Sequence, residues 1–377
     1  MTLRELVCPS VLTQPIYEPG KPIEQVAREF RLELGDVLKL ASNENPLGPS
    51  PLALEAVRRH LAESHLYPDG GCVQLRAALA TKLGVEAERI IVGNGSNEIM
   101  VLLAQAFLRP GDEVVFGAQA FIVYKLATLL CGAKPVAVAM PDFKHDLDAV
   151  LRAITARTKI VFLPSPNNPT GTANTDEELA HFIAHLPEHV IFCFDEAYVE
   201  YLEAAPDMRA YMRDNKKILC VRTFSKIYGL AGFRIGYGYG SVEMIELLNQ
   251  VRQPFNVNAL AQAAAVGALQ DTSFVAASRR VNQAGLAQLD TGLRELGLET
   301  YPSKANFVLL RVEKPLEVFE FLQRHGVITR PLKPYSMPNH IRISVGTQSQ
   351  NERLLAVLGQ LAAGPEHACL LKERSTP

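Results

Sequence analysis

The chain lacks an excess of charge of either sign. It carries 38 Lys+Arg against 40 Asp+Glu, a formal net charge of -2 over 377 residues. A general polyanion binder needs a clear basic surplus, so that class is excluded. No uninterrupted apolar stretch reaches the ~18 residues that a membrane-crossing helix requires. Glu5 interrupts the opening segment, which has no apolar core of a signal peptide. The six cysteines, Cys8, Cys72, Cys131, Cys193, Cys220 and Cys369, lie far apart and form no C-x-x-C pair. They read as reduced, buried thiols of a cytoplasmic protein. Internal repeats and low-complexity tracts are also missing. What is present is an ordinary globular composition, 48% hydrophobic and 21% charged. That excludes global disorder and suits about two domains.

Short apolar runs alternate with helical patterns. Ile90-Ile91-Val92, Glu113 to Phe116, Pro135 to Val138, Ile160 to Leu163, Val190 to Phe194, Ile218 to Val221 and Arg234 to Tyr237 read as strands. They are β-branched or aromatic and do not alternate with polar residues, as expected of strands covered on both faces. Helical stretches between them, such as Asn97 to Leu108 and Asp176 to Leu186, predict an α/β domain with a mostly parallel sheet flanked by helices. From about Leu260 the texture changes. Ala261 to Leu269 is helical, and Asn306 to Leu310 and Ile341 to Val345 read as strands of a smaller α+β domain. The expected division is a large domain over 41–259, an N-terminal arm and small domain over 1–40 and 260–363, and a flexible tail over 364–377.

Ligands of open α/β sheets bind beyond the carboxyl ends of the strands. Gly93-Asn94-Gly95-Ser96-Asn97-Glu98 comes after the first strand and opens a helix. It reads as a phosphate seat or as a plain strand–helix turn. Glu98 stands where a dinucleotide fingerprint would have its third glycine. Pro164 to Gly171, with Asn167-Asn168-Pro169-Thr170-Gly171, is a turn by composition. Asp195 comes directly after a buried strand, either as a helix N-cap or as the partner of a buried cation. Lys226 comes after Thr223 and Ser225 and precedes Arg234 at the same edge. A buried lysine lowers its pKa and can act as an imine-forming nucleophile.

Taken in order, these segments supply the inventory of a pyridoxal phosphate site: a lysine, a carboxylate and a phosphate cradle. The order and spacing resemble the fold-type I pyridoxal-phosphate aminotransferases, and within them the histidinol-phosphate aminotransferases. The likeness runs from about Tyr17 to about Leu361. Its carrying segments are Leu40 to Pro49, Tyr67-Pro68-Asp69, Arg222 to Tyr237, Pro302 to Phe307 and His340 to Gly346. One departure is Ala118-Gln119-Ala120-Phe121, which replaces the usual Pro-Ser/Thr-Tyr/Phe turn and keeps the aromatic.

The resemblance implies a role for each matched residue. Lys226 would bind the cofactor covalently and then move the substrate's proton. Asp195 would face the pyridine nitrogen, Asn168 and Tyr198 the ring hydroxyl, and Phe121 the ring face. Ser96, Asn97, Ser225 and Arg234 would hold the phosphate. Tyr67 would reach the phosphate in a neighbouring subunit, making a homodimer with shared sites. Arg342 would bind a substrate anion, with Arg330 and Tyr17 helping. The implied substrates are small molecules, an amine donor and 2-oxoglutarate or glutamate, in histidine biosynthesis.

Competing readings are an aromatic amino-acid aminotransferase, a threonine-phosphate decarboxylase-like lyase, a cofactor-binding regulatory module and a nicotinamide dehydrogenase. The missing third glycine speaks against the last. His181, His185 and His189 fall at i, i+4, i+8 and read as a solvated helix face. Gly236-Tyr237-Gly238-Tyr239-Gly240 reads as close backbone packing at a strand.

Overall fold

Apolar runs without alternation become strands whose two faces each meet a separate core. The computed structural model describes every residue except Thr13, 17–19, 215–216, 365–367 and 372–377. The first strand, β1 (Leu38–Lys39), is short. Strands β2 (Ile90–Gly93), β3 (Glu113–Gly117), β4 (Lys134–Val138), β5 (Thr158–Pro164), β6 (Ile191–Asp195), β7 (Ile218–Thr223) and β8 (Gly236–Tyr239) build one seven-stranded sheet. Its order is β2-β8-β7-β6-β5-β3-β4, and only β8 runs against the others. Val161, Phe192, Phe194 and Cys220 enter one core. Their sequence neighbours Ile160, Phe162, Ile191, Cys193 and Leu219 enter the core on the opposite face. Two-sided burial is the reason these strands show no polar alternation.

A second sheet of four antiparallel strands comprises β9 (Thr300–Tyr301), β10 (Phe307–Arg311), β12 (Arg330–Pro331) and β13 (His340–Ser344), in the order β12-β13-β10-β9. Between them, β11 (Val327–Ile328) pairs in parallel with β1. Val308, Leu310, Ile341 and Ile343 point into a third core. The alternate residues, including Phe307, Leu309 and Arg342, point the other way. The chain is thus an α/β protein with a mostly parallel main sheet and a smaller antiparallel one.

Four expectations shift. Arg234 is not in a strand: it adopts a left-handed backbone (φ 57°) and β8 begins at Gly236. The Ala-rich helix, Ala259–Gln270, packs into the core of the main sheet. Of the tail, Ala368–Leu371 is helical and buries Leu370 and Leu371, because two adjacent leucines there complete the third core. Cys72, Cys193 and Cys220 are buried, but Cys8 is exposed and Cys131 and Cys369 are intermediate. Cys8 lies between two short helices, Cys131 in the turn after helix Val123–Leu130, and Cys369 in a short helix near the end of the chain.

The glycine run at β8 packs as closely as its composition implied. A Cβ on Gly236 would lie 2.4 Å from the amide nitrogen of Ser96. The His181 and His185 rings, tilted at 37° with centroids 4.3 Å apart, lie on the exposed face of helix Asp176–His185, with His181 Nε2 3.6 Å from Asp148.

Beside the carboxyl end of β6, the fully buried Glu196 receives two hydrogen bonds from Arg222 of β7 (2.9 and 3.0 Å). The Tyr239 hydroxyl donates a third (2.7 Å). Removing one member of a buried pair strands the other. Arg222→Leu is therefore expected to cost about 3–5 kcal/mol, and adding Glu196→Leu to recover much of that. Urea denaturation of the wild type, both single variants and the double variant checks this.

Candidate active site

Strands β2, β5, β6 and β7 end on one edge of the main sheet, and β8 starts there. Gly93 and Thr223 both pair with Gly236, while Pro164 pairs with Asp195. At this edge lies a cavity of ≈ 250 Å³, lined among others by Ser96, Phe121, Asn168, Asp195, Lys226 and Arg234. Segments far apart in sequence meet because each continues from its own strand to the same edge.

One end of the cavity is built for an anion. Gly95 caps helix Ser96–Phe107 at φ 81°. A side chain there would be strained, and its Cβ would lie 2.5 Å from Arg234 Nη2. The absence of that Cβ lets the guanidinium close against the helix N-terminus, whose free N–H groups carry partial positive charge. Arg234 Nη1 donates to Ser225 Oγ at 3.4 Å. Glu98 is occupied elsewhere: its Oε2 accepts from the Asn94 amide and from Asn256 Nδ2, both at 2.6 Å.

Deeper in the cavity, Asp195 is buried at the end of β6. Its Oδ1 accepts from the Ala197 amide (3.0 Å) and its Oδ2 from the Tyr124 hydroxyl (2.7 Å). Tyr124 itself stacks on Phe162 at 4.8 Å. Asp195 caps its own turn through the Ala197 amide and lines the cavity, while the helical turn that follows has Tyr198 and not Asp195 at its N-cap. Burial pushes its carboxyl up from the ordinary 3.8 to about 6, against the two hydrogen bonds.

Lys226 lies within a tight loop. Phe224 N donates to the Ile235 carbonyl (3.1 Å), closing the loop at its base. Lys226 Nζ donates to the Ser42 carbonyl at 3.1 Å and sits 5.7 Å from the Tyr198 ring centroid. Burial, then the Arg342 charge, lowers its pKa from 10.5 to about 8. The Tyr198 hydroxyl accepts from Asn43 Nδ2 at 2.8 Å, and burial pushes its pKa to about 12, so it stays protonated.

The small sheet closes the other side. Arg342, 6% exposed, donates through Nη2 to the Ala41 carbonyl (2.6 Å) and through Nη1 to Asn168 Oδ1. Its guanidinium lies 5.4 Å from the Phe307 ring centroid. Arg330 of β12 pairs directly with Arg342 of β13, so both side chains project from one face.

Three expected residues, Arg330, Arg342 and Tyr67, are not among those that line this cavity. Tyr67 is 84% exposed, stacked on Phe255 at 4.9 Å, and does not line this cavity. Tyr17 lies outside the described residues. Three lining residues were given no role from the sequence: Tyr124, and Ser42 and Glu44 of the carrying segment Leu40 to Pro49. For Tyr124 the signal was its position three after Phe121, one helical turn onward. For Ser42 and Glu44 no local pattern exists, because their partners are distant in sequence.

The family model for aminotransferase class I and II matches residues 35–358. The chain belongs to the class I and II aminotransferases. It is 49% identical over 352 residues to histidinol-phosphate aminotransferase 1 of Thiobacillus denitrificans, covering 93% of this chain and 92% of that one. It is 46% identical over 361 residues to histidinol-phosphate aminotransferase 2 of Pseudomonas fluorescens, covering 95% and 98%. Among solved structures, histidinol-phosphate aminotransferase of Sinorhizobium meliloti in complex with pyridoxal-5′-phosphate superposes with TM-score 0.85 at 26% identity, over 94% of this chain and 96% of that chain. Aspartate aminotransferase of Thermus thermophilus with maleate gives 0.78 at 28% identity, over 93% and 99%.

The aminotransferase's cavity fits that cofactor on its own terms. A cationic cradle that a single Cβ on Gly95 would obstruct lies at one end, a buried carboxylate farther in, and an amine within the same lining. Asp195 carries a stability cost that this fit explains. With its pKa raised in the folded state, the ionised carboxylate destabilises the cofactor-free protein as pH rises from 3.8 through about 6. Asp195→Asn should therefore stabilise the cofactor-free protein at pH 7 by on the order of 1–3 kcal/mol, and by nothing below pH ~4. Paired denaturation curves at pH 3.5 and pH 7 test the sign.

Proposed function

We propose that the chain transfers an amino group between L-histidinol phosphate and 2-oxoglutarate in histidine biosynthesis, as a cytoplasmic homodimer with pyridoxal 5′-phosphate as its cofactor. The observation that carries this reading is the arginine pair. Arg330 and Arg342 are directly paired residues of adjacent antiparallel strands, so two guanidinium groups project from the same face. A phosphate dianion suits two guanidinium groups, whose planar forks match its oxygens. A glutamate carboxylate can use the same Arg342. The names carried by the relatives, at 46–49% identity over nearly the whole chain, support the same substrate.

Pyridoxal phosphate, when bound, supplies a ring that withdraws electrons from the substrate's Cα. The residues here would hold and assist it. Lys226 is the attachment point. Its amine, with a pKa near 8, is neutral in a useful fraction of molecules and moves the proton at the substrate's Cα. The Asp195 carboxylate accepts from the ring N–H, and that positive partner favours the ionised form that burial opposes. Tyr124 keeps the carboxylate oriented. Asn168 and Tyr198 hydrogen-bond to the ring hydroxyl, and Phe121 covers the ring. The Ser96 and Asn97 amides, Ser225 and Arg234 hold the phosphate. Tyr17 assists Arg330 on the substrate side.

The dimer reading rests on Tyr67 and Phe255, an aromatic pair turned outward at 84% and 48% exposure. A second copy would cover the pair and receive the Tyr67 hydroxyl in its own site.

Arg330→Ala should lower kcat/KM for histidinol phosphate by roughly 10- to 150-fold, the worth of one charge-assisted contact, and should affect glutamate less. An equal loss with histidinol phosphate, glutamate and phenylalanine, or a wild type that prefers phenylalanine, favours the aromatic aminotransferase. Release of CO2 from the donor favours the lyase. For the shared site, Tyr67→Phe and Lys226→Ala protomers, each impaired alone, should regain activity when subunits exchange. No recovery despite exchange shown by native mass spectrometry defeats that arrangement.

A further inference from the structure

Behind the turn that carries Asn168 lies a histidine that the chemistry above does not use. His145 is buried, and no well-formed hydrogen bond reaches either ring nitrogen, the one side chain close to bonding it being Asn167. The amide it faces is Asn167, whose Oδ1 is buried and equally unmatched. Asn167 Nδ2 is already committed, donating to the Gln119 carbonyl (2.8 Å) and to Thr170 Oγ1 (2.7 Å). The amide orientation is thereby fixed, and Oδ1 is left needing a donor. A neutral imidazole has one N–H to give. Burial lowers the His145 pKa to about 4, so the ring is neutral near pH 7.

The ring's seat is cut to its shape. A Cβ on Gly117, at the end of β3, would lie 2.4 Å from His145 Cε1 and 2.5 Å from Met140 Sδ. The backbone around it braces the same turn. The Phe143 carbonyl accepts from Thr172 Oγ1 (2.7 Å), and the His145 carbonyl from Asn174 Nδ2 (3.1 Å). Asp142 and Phe143 are both left-handed (φ 50° and 59°), a costly pairing that surrounding structure must enforce. In that conformation the Phe143 ring meets the small sheet edge-on, 5.0 Å from both Tyr301 and His340.

We propose that His145 is a positioning residue: its ring N–H is the donor for Asn167 Oδ1, and this bond fixes the turn that presents Asn168 to Arg342 and to the cofactor. The proposal rests on the place given to Asn168 in the site above.

His145→Gln and His145→Met have nearly the same shape, and only the first keeps an N–H. Two readouts are needed: the affinity of the cofactor-free protein for pyridoxal phosphate by equilibrium dialysis, and kcat/KM for histidinol phosphate and for glutamate. His145→Met should weaken cofactor binding several-fold and lower both efficiencies roughly 10-fold, the worth of one hydrogen bond. His145→Gln should stay near wild type. In an Asn168→Ala background the Met substitution should add little, because its effect runs through Asn168. Equal losses for Gln and Met, wild-type values for Met, or full additivity with Asn168→Ala each overturn the proposal. If Asn168→Ala alone matches wild type, the placement of Asn168 fails and the role of His145 falls with it. Should His145→Met not fold, nitrogen-15 spectra of histidine-labelled wild-type protein decide. One exchange-protected ring N–H is expected, and its absence refutes the bond.

Discussion

One extended segment, residues 40–45, satisfies polar groups from both sheets at once, and the geometry of the site hangs on it. Leu40 donates to Ile328 of β11 and accepts from Ser344 of the small sheet. The next carbonyl, Ala41, takes Arg342, and the next, Ser42, takes Lys226. Asn43, in a left-handed conformation, donates to the Tyr198 hydroxyl, and its carbonyl accepts from Asn306. Asn45 then donates to the Ile227 carbonyl, beside Lys226, and to Ser278. Each link satisfies a group that would be expensive to bury alone. Neither sheet therefore places its functional cation unaided.

This design keeps charged groups in a poorly hydrated place while matching them with neutral partners. Arg342 rests on a carbonyl, an amide oxygen and an aromatic face. Lys226 rests on a carbonyl and Asp195 on a hydroxyl and an amide. These hydrogen bonds to neutral groups fix the orientation of each charge. The contrast is the Glu196–Arg222 pair one residue away, where opposite charges meet in full and serve only to bind two strands together.

The main sheet is legible in the sequence because two-sided burial leaves a plain signature, an apolar run ending in a polar residue. Asp195, Ser225 and Lys226 stand at or just beyond the ends of such runs, and their position alone marks them. Arg234 reads as strand because Ile235 beside it is apolar, whereas its left-handed turn depends on packing against Gly95. Tyr124 is hidden within an apolar helix, where its ring looks like core and only its hydroxyl reaches Asp195. The contacts of Ser42 and Glu44 depend on how two sheets sit together, which no local periodicity encodes. His145 carries no pattern either, since a lone histidine after a surface-like Lys144 gives no hint of burial.

The reversed direction of β8 has a consequence for how the protein can diverge. Because β7 runs towards the site and β8 away from it, the loop between Thr223 and Gly236 begins and ends on paired residues. It is a closed hoop of fixed circumference, with Lys226 near one foot and Arg234 near the other. A residue gained or lost within it has nowhere to be absorbed, since both feet are riveted to the sheet. The exposed run Glu203-Ala204-Ala205 can lengthen into water at little cost. The hoop's residue count is thus a harder constraint than most of its side chains, and new specificities must arise around it by substitution, on the strands and segments that face it.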